Sequence, residues 1–559
     1  MAEQGGSGLT ILGVVASVGL IGVLMCAGAG VLFSSMGKEG GTNAPIAAPD
    51  VAPDAASDDL GLVPPESAVP RLDPAAPYVP KGGIVEIELS EYAGYAGLIV
   101  ANGGLAPNPD SYFAKKHGFQ VKLTVSEADA WSSLNAGRIG ATVTTVDVLP
   151  LYGRQLEAVV PAQIGFSRGA DGIVVDSDVK RLNDLRGKVV VGAPFGESEF
   201  FLRYLAGEAG IPVVTSDVAV SKSKDAITLV FAEDAFVAGD AYVKSLAGDG
   251  AIDGCVTWDP RTTEVVTESA GKAHVLTTNK NLLVVADILV VNKGFAEQNP
   301  KLVEGLVDGL LYGNREVRDN PSDANLAIIG KAFSWDAAAT KAELSKVHLS
   351  NLPENLAFFG GEIDMAGSFS GIFQSAIYSY GRDLVKDPVG AERFVSLDAL
   401  KAAEASGAYK EQTIAIAPIK SKGSSALEDD PLLSKDVRFF FEPNSSKLDM
   451  ASTENSENLA TIKRLLNVSP GSTILLRGHV DNGRVEEFRK QGGEAFVREM
   501  SLKAVQLSKE RADEVEKRAI ETQKVDDKRI ENVGVGWDEP AGTDPDKNRR
   551  VEVQWYTLE

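Results

Sequence analysis

Cysteine is nearly missing from this 559-residue chain. Cys26 and Cys255 are the two present, which excludes a disulfide framework and a cysteine-based metal site. Histidine is as scarce: His117, His274, His348 and His479 are scattered without zinc-ligand spacing. Basic residues are also short, 55 Lys and Arg against 78 Asp and Glu, for a net charge of −23. From Pro431 onward the balance is 21 basic to 24 acidic, so −20 belongs to the first 430 residues. A surface that acidic repels nucleic acid and anionic lipid and favours cationic or neutral ligands. No nucleic-acid partner is expected. No nucleophile–base pattern, metal cluster or phosphate loop stands out, and the G-x-G of Gly534 and Gly536 is a lone one. No cofactor, metal or catalytic role is expected.

What is present starts with a charge-free run, Leu9 to Phe33, of 25 residues. About 20 apolar residues cross a bilayer as a helix, so 9–33 is expected to span. A secretory signal would carry a basic segment first, yet only Glu3 is charged there. Met25 stands where a lipoprotein needs a small residue before Cys26. The run is therefore read as an uncleaved anchor. Lys38 and Glu39 leave its orientation unmarked, so topology rests on the domains. Residues 34–82, rich in Pro, Ala and Asp, show no apolar period and read as an extended linker reaching roughly 40 Å.

Residues 83–412 alternate strand-like and helix-like phrases, from "GIVEIELS" and "IGATVTTVDV" to "SEFFLRYLAGEAG". That alternation predicts an α/β domain with mostly parallel sheet, and its length of over 300 residues predicts a split into two lobes. A polar connector, 413–432, leads to a last unit, 433–559, with its own α+β pattern. In "SENLATIKRLLNVSPG", Leu459, Ile462, Leu465 and Leu466 share a helical face. In "LSKERADEVEKRAIE", Ala512, Val515 and Ala519 face inward.

The phrases "EYAGYAGLIVANG", "LNAGRIGATVTTVDVLPL", "LNDLRGKVVVGAPFGESEFFLRYLAGEAG", "AIDGCVTWDP" and "ADILVVNKGFAEQNPKLVEGLVDG" come in an order that resembles the periplasmic solute-binding proteins of ABC transporters, of the nitrate, sulfonate and taurine type. The resemblance implies a two-lobed fold that closes on a small molecule at its cleft. By the same resemblance the cleft residues are Tyr92, Tyr95, Thr144, Thr145, Gly196, Ser198, Trp258 and Asp259. A helix N-terminus after "GAPFG" would favour an anion, but Glu197 brings its own negative charge there. Asp259 and the acidic surface lean toward an amine-bearing or neutral ligand. Asp287 reads as a strand-start residue at the hinge.

The last unit resembles the OmpA-like domain that binds peptidoglycan, through "F-x-x-x-S-x-x-L", "GHVDN", "LSKERADEV" and "NRRVEV" taken together. The resemblance implies that Asp481 and Arg511 clasp the diaminopimelate of the stem peptide. Asn482 and Asn548 would add hydrogen bonds, and Arg549 or Arg550 would support the acceptor end. Two departures stand out. Val480 replaces the family's threonine, and Asp481 and Arg511 lie about twice as far apart as usual, because of an insertion at 484–506. That stretch reads as a short helix, a break at Gly492–Gly493 and a longer helix.

Together these features describe an inner-membrane protein with residues 1–8 cytoplasmic and both folded units in the periplasm. It would bind a solute and the cell wall, as a sensor or as a tethered component beside an ABC permease or envelope complex. The alternatives are a stator-like envelope scaffold, whose membrane helix would normally carry an acidic residue, and an enzyme built on the same fold, as in thiamine-precursor synthases.

Overall fold

The computed structural model describes residues 60–126, 130–220, 222–363, 367–416, 432–441, 445–469 and 471–556. The expected anchor at 9–33, residues 1–8, the first part of the expected linker and most of the connector lie outside the described residues. Among the described residues no helix is long and apolar enough to cross a membrane.

Two sheets form two lobes. The first runs, edge to edge, Val347–Leu349, Ala158–Ser167, Ala286–Asn292, Ala141–Thr145, Ile84–Leu89 and Gln120–Val125. The second runs Leu62–Val63, Ile227–Ala232, Val189–Gly192, Gly254–Trp258, Asp171–Asp176 and Ala273–Thr278, with Val213–Thr215 also on Ile227–Ala232. Central strands such as Val189–Gly192 and Ile227–Ala232 are buried at every position, as strands covered on both faces must be. The chain crosses between the lobes at residues 168–170 and returns at 279–285.

Two expectations need correction. The sheets are mixed, not mostly parallel. Ile84–Leu89 pairs in parallel with both neighbours, but Ala286–Asn292 lies antiparallel between Ala141–Thr145 and Ala158–Ser167. A chain that leaves a lobe and comes back must re-enter its sheet in the opposite sense. The second correction is to the linker, whose last part, 60–82, is a strap over both lobes. Leu62–Val63 adds an edge strand to the second sheet. Tyr78 is buried in the first lobe, its N–H donating to Asn292 Oδ1 (3.1 Å) and its hydroxyl to the Ile84 carbonyl (3.2 Å). Proline-rich chain has no periodicity to read, because its hydrogen bonds go to distant partners.

Helix Phe369–Leu384 packs against both lobes. Its buried Tyr380 hydroxyl donates to the Gly196 carbonyl of the second lobe (3.0 Å) and lies 3.3 Å from Asp147 Oδ2 of the first.

The last unit has a four-stranded sheet in the order Leu433–Val437, Val551–Tyr556, Thr473–His479, Ile530–Gly536, with only the last pair parallel. Helix Thr453–Val468 turns Leu459, Ile462, Leu465 and Leu466 into the core, and Ala512, Val515 and Ala519 join them from Val485–Gln523. That long helix breaks at Gly492–Gly493, where Gly493 has a φ of 65°. It also lies directly on the sheet. Gly478 and Gly534 are paired across the parallel strands, and a Cβ on either would meet helix backbone at 2.0 Å (Ser508 O) or 2.3 Å (Val505 O).

This unit is docked on the second lobe. Asn183 exchanges two hydrogen bonds with the Ser434 backbone, at 2.9 and 2.8 Å. Leu182 N–H donates to the Leu432 carbonyl (2.9 Å), and Arg464 pairs with Glu208 (2.8 Å). Leu283 N–H, on the returning crossing, donates to the Val468 carbonyl (3.0 Å).

Candidate functional site

The strand Thr473–His479 ends beside the closing strand, where His479 N–H donates to the Arg550 carbonyl (2.9 Å) and Val480 N–H to the Gly536 carbonyl (2.8 Å). These bonds fix the exit of "GHVDN". Asp481 then turns on itself, Oδ1 accepting from Gly483 N–H at 3.2 Å, while Oδ2 accepts from Arg549 Nη1 at 3.2 Å. Arg511 comes from the long helix and lies over the Phe441 ring, 4.9 Å from its centroid. Its Nε is buried and has no hydrogen-bond partner among the described residues. Burial and then the Arg549 charge disfavour the Arg511 cation, and Asp481 favours it. One carboxylate therefore faces two guanidiniums, and Arg549 is the one in contact.

The other residues assigned there divide. Asn482 is exposed beside Asp481. Asn548 is buried and faces inward, donating to the Gly542 carbonyl (2.9 Å) and accepting from Gly542 N–H (3.3 Å). It shapes the loop and is not turned toward a ligand. Arg550 contributes its carbonyl to His479.

Between the lobes is a cavity of about 190 Å³. Tyr92, Tyr95, Thr144, Thr145 and Trp258, all expected there, line it. Gly196, Ser198 and Asp259 do not. Gly196 heads helix Glu197–Glu208 and spends its carbonyl on Tyr380. Ser198 is buried away from the cavity. Asp259 turns to helix Arg261–Glu268, accepting from Thr263 N–H (3.1 Å) and pairing with Lys346 (2.9 Å).

Four carboxyl groups stand in the cleft instead, Glu88, Asp171, Glu197 and Asp287. Asp287, read from sequence as a hinge residue, accepts from the Tyr95 hydroxyl at 3.2 Å. A signal was available, since Asp287 opens the otherwise apolar "ADILVVN", and a charge in a strand buried on both faces needs a partner or a cavity. Asp171 accepts from Ser167 and from Asn279 Nδ2 (2.7 Å). Burial pushes the Asp171 carboxyl up to about 6. Burial, then the charge of Asp171, holds Glu197 and Asp287 well above the usual carboxylate range.

Comparison with known proteins gives two results of different reach. No curated protein matches the sequence. In fold, the chain is similar to the periplasmic aliphatic sulphonate binding protein of Escherichia coli, at 16% identity over 62% of this chain and 99% of that one, TM-score 0.43. It is similar to the alkanesulfonate-binding protein of Xanthomonas axonopodis bound to MOPS, at 13% identity over 57% and 100%, TM-score 0.42. It is likewise similar to the periplasmic nitrate-binding protein of Synechocystis, at 13% identity over 59% and 90%, TM-score 0.41. The strand exit, the long helix and the closing strands that frame Asp481 all fall within the stretch that matches the OmpA family, and residues 440–554 are an OmpA family domain.

Proposed function

We propose that the protein fixes a solute-binding unit to the cell wall. On this reading residues 433–559 hold peptidoglycan by the diaminopimelate end of its stem peptide, and the two lobes close on a small solute by hinge motion at their crossings. Segment 9–33 anchors the chain in the inner membrane, with both folded units in the periplasm and an ABC permease or envelope complex as partner. The chain binds and does not catalyse.

The observation that supports this most is the arrangement of Asp481 with Arg549 and Arg511. An amino-acid end offers one ammonium and one carboxylate. Asp481 would accept from the ammonium, and a planar guanidinium would hold the carboxylate through two parallel hydrogen bonds. Arg511 is the better placed for that role, because its buried Nε has an unmet hydrogen bond. Arg549, now on Asp481, would yield to the ligand ammonium.

The test is co-sedimentation of the full-length protein with diaminopimelate-containing peptidoglycan. Removing one partner of a desolvated charge pair costs about 2–5 kcal/mol, at least tenfold in affinity. Asp481→Ala and Arg511→Leu should each leave a folded protein in the supernatant. Folded variants that still pellet would refute the assignment.

A further inference from the structure

Four separate elements bring acidic side chains to one cleft: Glu88 near the end of a strand, Asp171 and Asp287 at the starts of strands, and Glu197 in the first turn of a helix. No lysine or arginine is among the described residues that line it. The nearby cations are engaged elsewhere, Arg203 with Glu199, Lys346 with Asp259 and Glu343, and Arg168 with the Lys280 carbonyl. Neighbouring carboxyls without a counter-charge are unfavourable in a buried site, so a positive charge is what the cleft lacks.

A second observation points the same way. Tyr92 and Asp287 line the cavity close to each other, and among the described residues neither Tyr92 Oη nor Asp287 Oδ2 makes a well-aligned hydrogen bond, although Tyr92 is 9% exposed and Asp287 3%. Buried polar groups are normally satisfied, and unsatisfied ones facing a cavity await a ligand or water. An ammonium nearby favours the ionised form of Asp287, and an ionised Oδ2 only accepts, so what it would take is a donor. Around it the rings of Tyr92, Tyr95 and Trp258 supply apolar faces that attract cations.

We propose that the cleft binds a small organic cation, an ammonium-bearing solute whose charge is held by Asp287 and Glu197 and whose carbon skeleton lies on Tyr92, Tyr95 and Trp258. This rests on the reading of the two lobes as a solute-binding unit. A bare metal ion is a poorer occupant, because among the described residues no three acidic, histidine or cysteine groups converge to hold one. An oxyanion is poorer still. It would meet four acidic groups, one of them Glu197 at the helix start that would otherwise attract it.

Isothermal titration of the full-length protein separates the possibilities. One arm uses choline, ethanolamine and putrescine, and the other methanesulfonate, nitrate and sulfate. 3,3-Dimethylbutan-1-ol serves as the uncharged carbon analogue of choline. The proposal expects saturable binding in the amine arm, none in the oxyanion arm, and at least tenfold weaker binding for the uncharged analogue. Asp287→Asn should weaken amine binding at least tenfold while raising the melting temperature of the ligand-free protein. Glu197→Gln should do the same, and stands in if Asp287→Asn fails to fold. Oxyanion binding, equal binding of the neutral analogue, or variants that keep amine affinity would overturn the cation assignment and leave solute binding standing. Silence in both arms would overturn both readings.

Discussion

Arg549, just before the closing strand of the OmpA family domain, holds Asp481 through a contact of 3.2 Å, with the two side chains 44% and 26% exposed. A pair that open to solvent contributes roughly 0–1 kcal/mol to folding. Asp481→Ala should therefore move the melting temperature of the full-length protein by no more than a degree or two. Scanning calorimetry checks this. A drop of many degrees would make the pair a structural clasp and not a resting ligand site.

The Tyr380 hydroxyl ties the lobes together from a buried position. Tyr380→Phe leaves the Gly196 carbonyl and Asp147 each short of a donor, which should cost about 1–3 kcal/mol. It should also let the lobes open further, read as a larger radius of gyration in X-ray scattering. An unchanged radius with unchanged stability would remove Tyr380 from the account of lobe closure.

Asp147, fully buried in the first lobe, has its carboxyl raised by that burial from 3.8 to about 7. The folded state thus binds the proton more tightly than the unfolded chain. Its contribution to stability is full below pH 3.8 and is lost as pH rises to about 7, by up to about 4 kcal/mol. Asp147→Asn should be more stable than the parent at pH 8 and no more stable at pH 4. Equal stability at both pH values would contradict this.

Glu552 carries the opposite sign. His479 and Arg477 beside it hold its carboxyl down to about 2 against burial, with Arg477 Nη1 at 3.3 Å and His479 Nε2 at 3.4 Å. Its contribution is present above pH 4.5 and disappears as pH falls toward 2, roughly 3 kcal/mol in all. Glu552→Gln should be less stable than the parent at pH 7 and converge with it at pH 2. Urea midpoints at the two values decide the matter.

Much of the OmpA family domain was legible in the sequence, for reasons that are local. Helical spacing placed Leu459, Ile462 and Leu465 in the core. The double glycine marked the break at 492–493. Less of the cleft could be read. Asp259 looked like a ligand residue beside Trp258, but its partners, Thr263 and Lys346, are set by the helix that follows and a distant loop. Asp287 looked like a hinge residue, although it is the one charge in the otherwise apolar "ADILVVN", because the cavity it faces is built with residues far away in sequence such as Tyr95. The strap at 60–82 was invisible for a related reason, since proline-rich chain becomes structured only through long-range bonds such as Tyr78 to Asn292. The docking of the last unit through Asn183 and Ser434 likewise joins residues some 250 positions apart.

The most direct measurement joins the two binding claims. Sacculi from cells making the full-length protein are digested with a muramidase in mild detergent, and the released protein is weighed by native mass spectrometry. The account predicts two adducts on the chain: a diaminopimelate-containing muropeptide, missing from Asp481→Ala, and a smaller solute, missing from Asp287→Asn. A chain absent from the sacculi, or released without either adduct, would contradict it.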